Sequence, residues 1–217
     1  MNRRKSTRVW QSISYYGVLI LESVLGVFGI RLYEEPRYDV IDRIGNGVEI
    51  RRYGPRLAAE VDLTSAGRSQ AFQLLFAYIA GANRAPAFGQ DTIAMTTPVE
   101  VSGKELVAMT VPVETLDSAD AGHMRFFLPS KYSLDTAPKP LNPEVRLITV
   151  SQEIIATLRF SGAATDVAER KAELIAKLLA DTTWRPTAEP FTLFYDAPFT
   201  LPFLRRNEAA VAIAKKP

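Results

Sequence analysis

The strongest constraint on what this chain can fold into is that its two halves read alike. "VEIRRYGPRLAAEVDL" (48–63) is two short alternating runs around Gly54-Pro55, which predicts a hairpin. "GRSQAFQLLFAYIAGAN" (67–83) then predicts a helix. "VRLITVSQEIIATLRFSG" (145–162) is again two strand-like runs. "DVAERKAELIAKLLADT" (166–182) is again a helix, opened by Asp166 as N-cap. After each helix comes a matching strand, 93–99 in one half and 193–199 in the other, and further strands are expected at 124–129 and 208–213. Two such β-β-α-β units have to pair their strands into one sheet with the helices packed outside. The expected fold class is α+β: a distorted β-barrel of two pseudo-symmetric halves, about 38–114 and 124–213, with two flanking helices and an N-terminal helix.

A shorter repeat lies inside the first half. Ala94-Met95-Thr96-Thr97-Pro98-Val99-Glu100 returns as Ala108-Met109-Thr110-Val111-Pro112-Val113-Glu114. The two copies predict a hairpin turning at Ser102-Gly103-Lys104, with the prolines at edges or bulges because proline cannot donate to a ladder. "DTAPKPLNPE" (135–144), with three prolines, reads as the loop crossing between halves.

Composition removes several chemistries. The 217 residues contain no cysteine, so there is no disulfide, zinc-thiolate site, iron–sulfur cluster or thiol nucleophile. His123 is the one histidine, which excludes multi-histidine metal sites. The net charge of +2 hides four bases at the start, Arg3, Arg4, Lys5 and Arg8; the rest of the chain carries 22 basic and 24 acidic residues. No clustered basic face marks a nucleic-acid partner.

After that basic start comes "ISYYGVLILESVLGVFGI" (13–30). We read residues 1–33 as a separate basic and apolar segment, and 34–217 as the folded domain. The segment reads first as a membrane-associated anchor, with residues 9–30 in contact with the membrane. A soluble packing helix comes second and a cleaved signal third. Glu22 and a stripe of Ser12, Tyr15, Gly26 and Gly29 favour a helix lying in the interface or docked on protein over one surrounded by lipid. The remainder is expected to be cytoplasmic.

The two domain helices differ. The second carries Asp166, Glu169, Arg170, Lys171, Glu173, Lys177 and Asp181, a one-sided amphipathic pattern. The first has no charge from 69 to 83. Phe72, Leu75, Phe76 and Ile79 form one apolar face, and Ala71, Leu74 and Tyr78 another. One face can cover the sheet; the other is expected to meet the N-terminal helix, a partner, a membrane or a ligand. No Ser-His-Asp arrangement, phosphate loop or metal-ligand spacing is legible, so no enzyme is expected. Glu34-Glu35 reads as a solvated linker pair, Arg205-Arg206-Asn207-Glu208 as a network fixing the last strand, and His123, at the start of a strand, as solvated rather than a ligand.

"EEPRYDVIDRIGNGVEIRRYGPRLAAE", "YIAGAN", "IAMTTPV", "MRFFLPSKYSLDTAPKPLNPEV" and "FYDAPFTLPFLRRNEAAV", in this order over about 34–213, resemble the SOUL haem-binding protein family. The resemblance implies a distorted barrel of two pseudo-symmetric halves and a non-enzymatic tetrapyrrole site, with haem as cofactor, in an apolar groove beside the first helix. It implies Phe72 and Phe76 as groove residues, joined by Leu75 and Ile79 of the same helix face and by Met95 or Met109 at a wall, and Arg68 as the cation nearest to a propionate. Ala77 stands where relatives can carry a base, and the axial histidine of some relatives has no counterpart near the N-terminus, so ligation by histidine is not expected. Two alternatives stay open: a binding module for another small molecule, apolar or cationic, or a groove filled by the chain's own N-terminal helix.

Overall fold

Gly45-Asn46-Gly47 turns the chain back on itself at the start of the domain. Gly45 and Gly47 take φ of 50° and 102°, a region that side chains resist, and the strands on either side, β1 (Tyr38–Ile44) and β2 (Val48–Tyr53), pair antiparallel. The computed structural model describes residues 34–63, 67–84, 92–102, 122–162, 167–196 and 200–217. In chain order there follow β3 (Arg56–Asp62), α1 (Arg68–Ile79), β4 (Asn83–Arg84), β5 (Val99–Val101), β6 (His123–Phe127), β7 (Lys139–Pro140) and β8 (Arg146–Val150). Then come β9 (Glu153–Phe160), α2 (Val167–Ala180), β10 (Trp184–Pro186), β11 (Phe191–Phe194), a 3-10 turn at Pro202–Leu204, and β12 (Asn207–Lys215). The class is α+β, a curled antiparallel sheet with two helices.

The strand order is β1-β2-β9-β12-β11-β5-β6-β3-β8, with β10 paired to β12 and a separate β4–β7 pair. It corrects the expected hairpin at Gly54-Pro55. β2 pairs with β1 and β9, whereas β3 pairs with β6 and β8. Gly54-Pro55 is a corner in one bent ribbon, and Ser151-Gln152 is the facing corner in the other. Tyr53 faces Glu153 before the corner and Arg56 faces Val150 after it, so the pairing resumes in the same register. A Gly-Pro step bends a strand as readily as it reverses one, and partners far along the chain decide between the two.

The strand expected at 93–99 is displaced. β5 starts only at Val99, after the cis Thr97-Pro98 bond, and pairs with β6 and β11. Residues 1–33, Asp166 and the second Met-Thr-x-Pro-Val copy with its turn at Gly103-Lys104 lie outside the described residues.

α1 is shorter than the expected 67–83. Gly81, at φ 114°, closes it in a Schellman turn: the Ala82 N–H donates to the Ala77 carbonyl at 2.8 Å and that of Gly81 to Tyr78 at 3.3 Å. Its covered face is Ala71, Leu75, Tyr78 and Ile79, packed on Ala59, Val61, Val99, Val101, Met124 and Phe126. α2 buries Val167, Leu174 and Leu178 on Val48, Ile50, Leu158 and Val211. Burying a leucine such as Leu75 or Leu174 contributes roughly 1.5–3 kcal/mol.

The sheet's other face is of a different kind. Arg146, Glu60, Arg125, Glu100, Leu193, Glu208 and Arg159 stand opposite one another from strand to strand, and so share one face. Glu60, Glu100 and Glu208 are buried there.

Candidate functional site

The sequence places its candidate residues on or near α1, and the structure sorts them. Leu75 and Ile79 belong to the core beneath the helix, and Met95 packs half-buried against the same cluster. Arg68 is exposed in the first turn. Phe72 and Phe76 come together: their rings lie 6.1 Å apart and within 12° of parallel. Phe72 also meets Phe126 edge-on at 5.5 Å, which ties it to the sheet. Phe76 is 49% exposed. The open edge of α1 is therefore a stacked aromatic pair, anchored at one ring and free at the other. Met109 lies outside the described residues.

The concave face holds two acid–base networks; the sequence reading of Arg205-Arg206-Asn207-Glu208 as a network at the last strand anticipated part of the second, and none of the first. In the first, Arg146 Nη2 donates to Glu60 at 3.1 Å, Arg125 bridges Glu60 and Glu100 at 2.7 Å each, and His123 Nε2 donates to Glu100 at 2.9 Å. His123 Nδ1 and the Ser102 hydroxyl share a hydrogen bond of 3.0 Å. Both ring nitrogens are thus occupied: His123 opens a strand as expected, but β6 carries it into the network rather than into solvent. Burial opposes the charge on Glu100, but His123 and Arg125 hold its carboxyl below the usual range.

The second network centres on Glu208, which is fully buried. It accepts from Arg51 at 2.6 and 3.2 Å, from Arg206 at 2.8 and 3.0 Å and from the Tyr195 hydroxyl at 2.8 Å. Burial again works against the charge, and these donors hold the carboxyl low. Burial pushes the hydroxyls of Tyr195 and Tyr53 up, Tyr53 to about 12. Glu35 is no solvated linker acid: it pairs with Arg206 at 3.2 Å. Glu34 accepts from the Ser130 N–H at 2.9 Å, and its carbonyl from the Thr97 N–H at 3.0 Å. These acids tie the start of the domain to its middle and end.

Among the described residues no group of three or more His, Asp or Glu could hold a metal ion, and no helix is long and apolar enough to cross a membrane. The buried carboxylates are already matched by arginines, so what they do chemically is fix strands.

Comparison with known proteins places these features. One family model, described as SOUL heme-binding protein, matches residues 33–212. No curated protein matches the sequence. Among solved structures, an uncharacterized conserved protein from Listeria innocua is similar at a TM-score of 0.51 and 12% identity, over 79% of this chain and 94% of that one. The EcmrR chain in an EcmrR-DNA complex is similar at a TM-score of 0.51 and 8% identity, over 98% of this chain and 67% of that one. At these identities the likeness is one of fold.

Proposed function

Because this chain belongs to the SOUL haem-binding protein family, we propose that it binds haem or a related tetrapyrrole, without catalysis, on the open edge of α1. The observation that carries the reading is the near-parallel Phe72–Phe76 pair with Phe76 turned outward. A planar macrocycle stacks on such a surface, and burying it removes exposed aromatic area from water. Arg68 lies one turn before Phe72, on the side where a propionate would find the positive end of the helix. Leu75, Ile79 and Met95 support the site from below.

The reading includes binding without histidine ligation. His123 is on the concave face with both nitrogens engaged, whereas α1 covers the other face. The alternative of a cationic small-molecule effector is less well supported, because the buried Glu208 already has Arg51, Arg206 and Tyr195 around it. We also read 34–217 as one domain of two equivalent halves, and residues 9–30 as a membrane-associating segment. Vesicle flotation of the full chain and of a form lacking residues 1–33 tests the latter.

The test of binding is a hemin titration of the full chain, followed in the Soret region. Saturable binding that is lost in Phe76→Asp supports the site. Binding unaltered by Phe76→Asp would remove it from α1.

A further inference from the structure

A cleft of about 380 Å³ opens at the Gly54-Pro55 corner, walled in part by Leu57, Leu128 and Tyr132 from the edge of the α1 core. Pro36 and Tyr38 before and in β1, Leu57 in β3, Phe127 at the end of β6, and Leu128, Pro129 and Tyr132 beyond it give it apolar and aromatic walls. This size is in the range of small-molecule sites.

Arg56 lines it and is held unusually firmly for an arginine. Its side chain is 10% exposed, and its guanidinium sits between the rings of Tyr53 and Phe127, 4.2 and 4.6 Å from their centroids. Nη2 is taken by Glu153, but Nε is buried with no acceptor among the described residues. A buried donor without an acceptor costs about 1–3 kcal/mol, so the guanidinium is under-used by the protein itself. Its planar fork suits a carboxylate. Arg37 and Arg52 add positive charge to the lining, where Asp39 and Glu34 oppose them. Glu34 already serves the Ser130 N–H. Glu153 already meets the charge of Arg56, so what the guanidinium has left to offer a carboxylate is its unused Nε donor.

We propose that this cleft is a second ligand site, for a small monocarboxylate with an aromatic or aliphatic body. The carboxylate meets Arg56, and the body lies against Tyr38, Leu57 and Tyr132. The site is independent of the tetrapyrrole reading, since it shares no residue with the open edge of α1.

The test uses the full chain and 2-naphthoate, followed by the probe's fluorescence, with neutral 2-naphthalenemethanol as control. We expect saturable binding of the acid, with the alcohol about tenfold weaker or worse. Arg56→Lys keeps the charge but not the fork, and should weaken binding about tenfold. Because Arg56 variants can disturb the fold, Gly54→Phe is the second arm. Gly54 lines the cleft, and a Cβ built there meets nothing within 4 Å, so a ring can be added at the cleft wall without a clash at its first atom. Loss of binding in Gly54→Phe, with thermal stability and hemin binding kept, supports the site. Equal affinity for acid and alcohol, full binding in Gly54→Phe, or no saturable binding by wild type would overturn it. Loss of naphthoate binding in Phe76→Asp would also overturn it, by moving the probe to α1.

Discussion

Arg51 and Glu208, 157 positions apart in the sequence, meet through two hydrogen bonds of 2.6 and 3.2 Å in the interior of the protein. Their strands are not neighbours: β9 runs between β2 and β12. The pair therefore spans the curvature of the sheet and ties the first half of the chain to the last strand.

Breaking this pair on one side should be severe. Arg51→Met leaves Glu208 with fewer donors, and Glu208→Leu leaves Arg51 buried without its main acceptor. Each is expected to cost about 3–5 kcal/mol in urea unfolding. The double variant should be less destabilised than the two losses added together, because neither member of the pair is left facing a missing partner, while Arg206 keeps Glu35. A double-mutant cycle gives that coupling directly.

Acid should unfold the protein by way of the same networks. Glu100 and Glu208 have carboxyls held below the ordinary glutamate value of 4.5. Their contribution is present above that pH and is lost as the pH falls through their lower folded values. Urea midpoints should be flat from about pH 7 down to pH 5 and then drop, and Glu208→Gln should flatten the drop.

Alkali attacks from the other side. Tyr53 is pushed from 10.0 to about 12, chiefly by burial, with Arg51 pulling the other way. Between those values the folded chain holds a proton that the unfolded chain has released, so stability falls as pH rises. The loss is on the order of 2–3 kcal/mol for Tyr53 alone, at about 1.4 kcal/mol per unit. Burial also raises Tyr78 and Tyr195. Absorbance titration near 295 nm should show part of the eight tyrosines ionising only with unfolding.

Leu75 and Phe76 are adjacent in sequence and should behave oppositely. Leu75→Ala opens a cavity in the core and should cost about 2–5 kcal/mol, with hemin affinity little changed in the folded fraction. Phe76→Ala should change stability by less than about 1 kcal/mol and weaken hemin about tenfold, through lost stacking.

His123→Gln tests ligation. It disturbs Glu100, so a lower unfolding midpoint is expected, but the Soret maximum of the hemin complex should not move. A shifted maximum would mean that the imidazole reaches iron.

The sequence made the helices legible because 3.6-residue periodicity and turn residues are local. Gly81 stopped α1 four residues early, which only its positive φ explains. The first acid–base network was illegible for a physical reason. Glu60, Glu100 and Arg125 alternate with apolar neighbours, and that pattern is the same whether the polar side faces water or the inside of a curled sheet. The α1 site was half legible: an uncharged helix announces apolar surface, but only the packing tells that Leu75 and Ile79 point down and Phe76 points out. Gly54-Pro55 misled for a similar reason, since a corner and a reversal share their residues.

The exchanged ribbons have a consequence for how such a chain assembles. Matching β2, β3, β5 and β6 with β8, β9, β11 and β12 leaves the order from β2 to β8 unchanged when it is read backwards. β2 takes β9 as a partner and β3 takes β8, strands from the far end of the chain. Neither set of four can complete its ladder without the other. The chain between β6 and β8 keeps the two sets close. It raises the concentration of one half around the other, and cutting it would trade a first-order search for a second-order one.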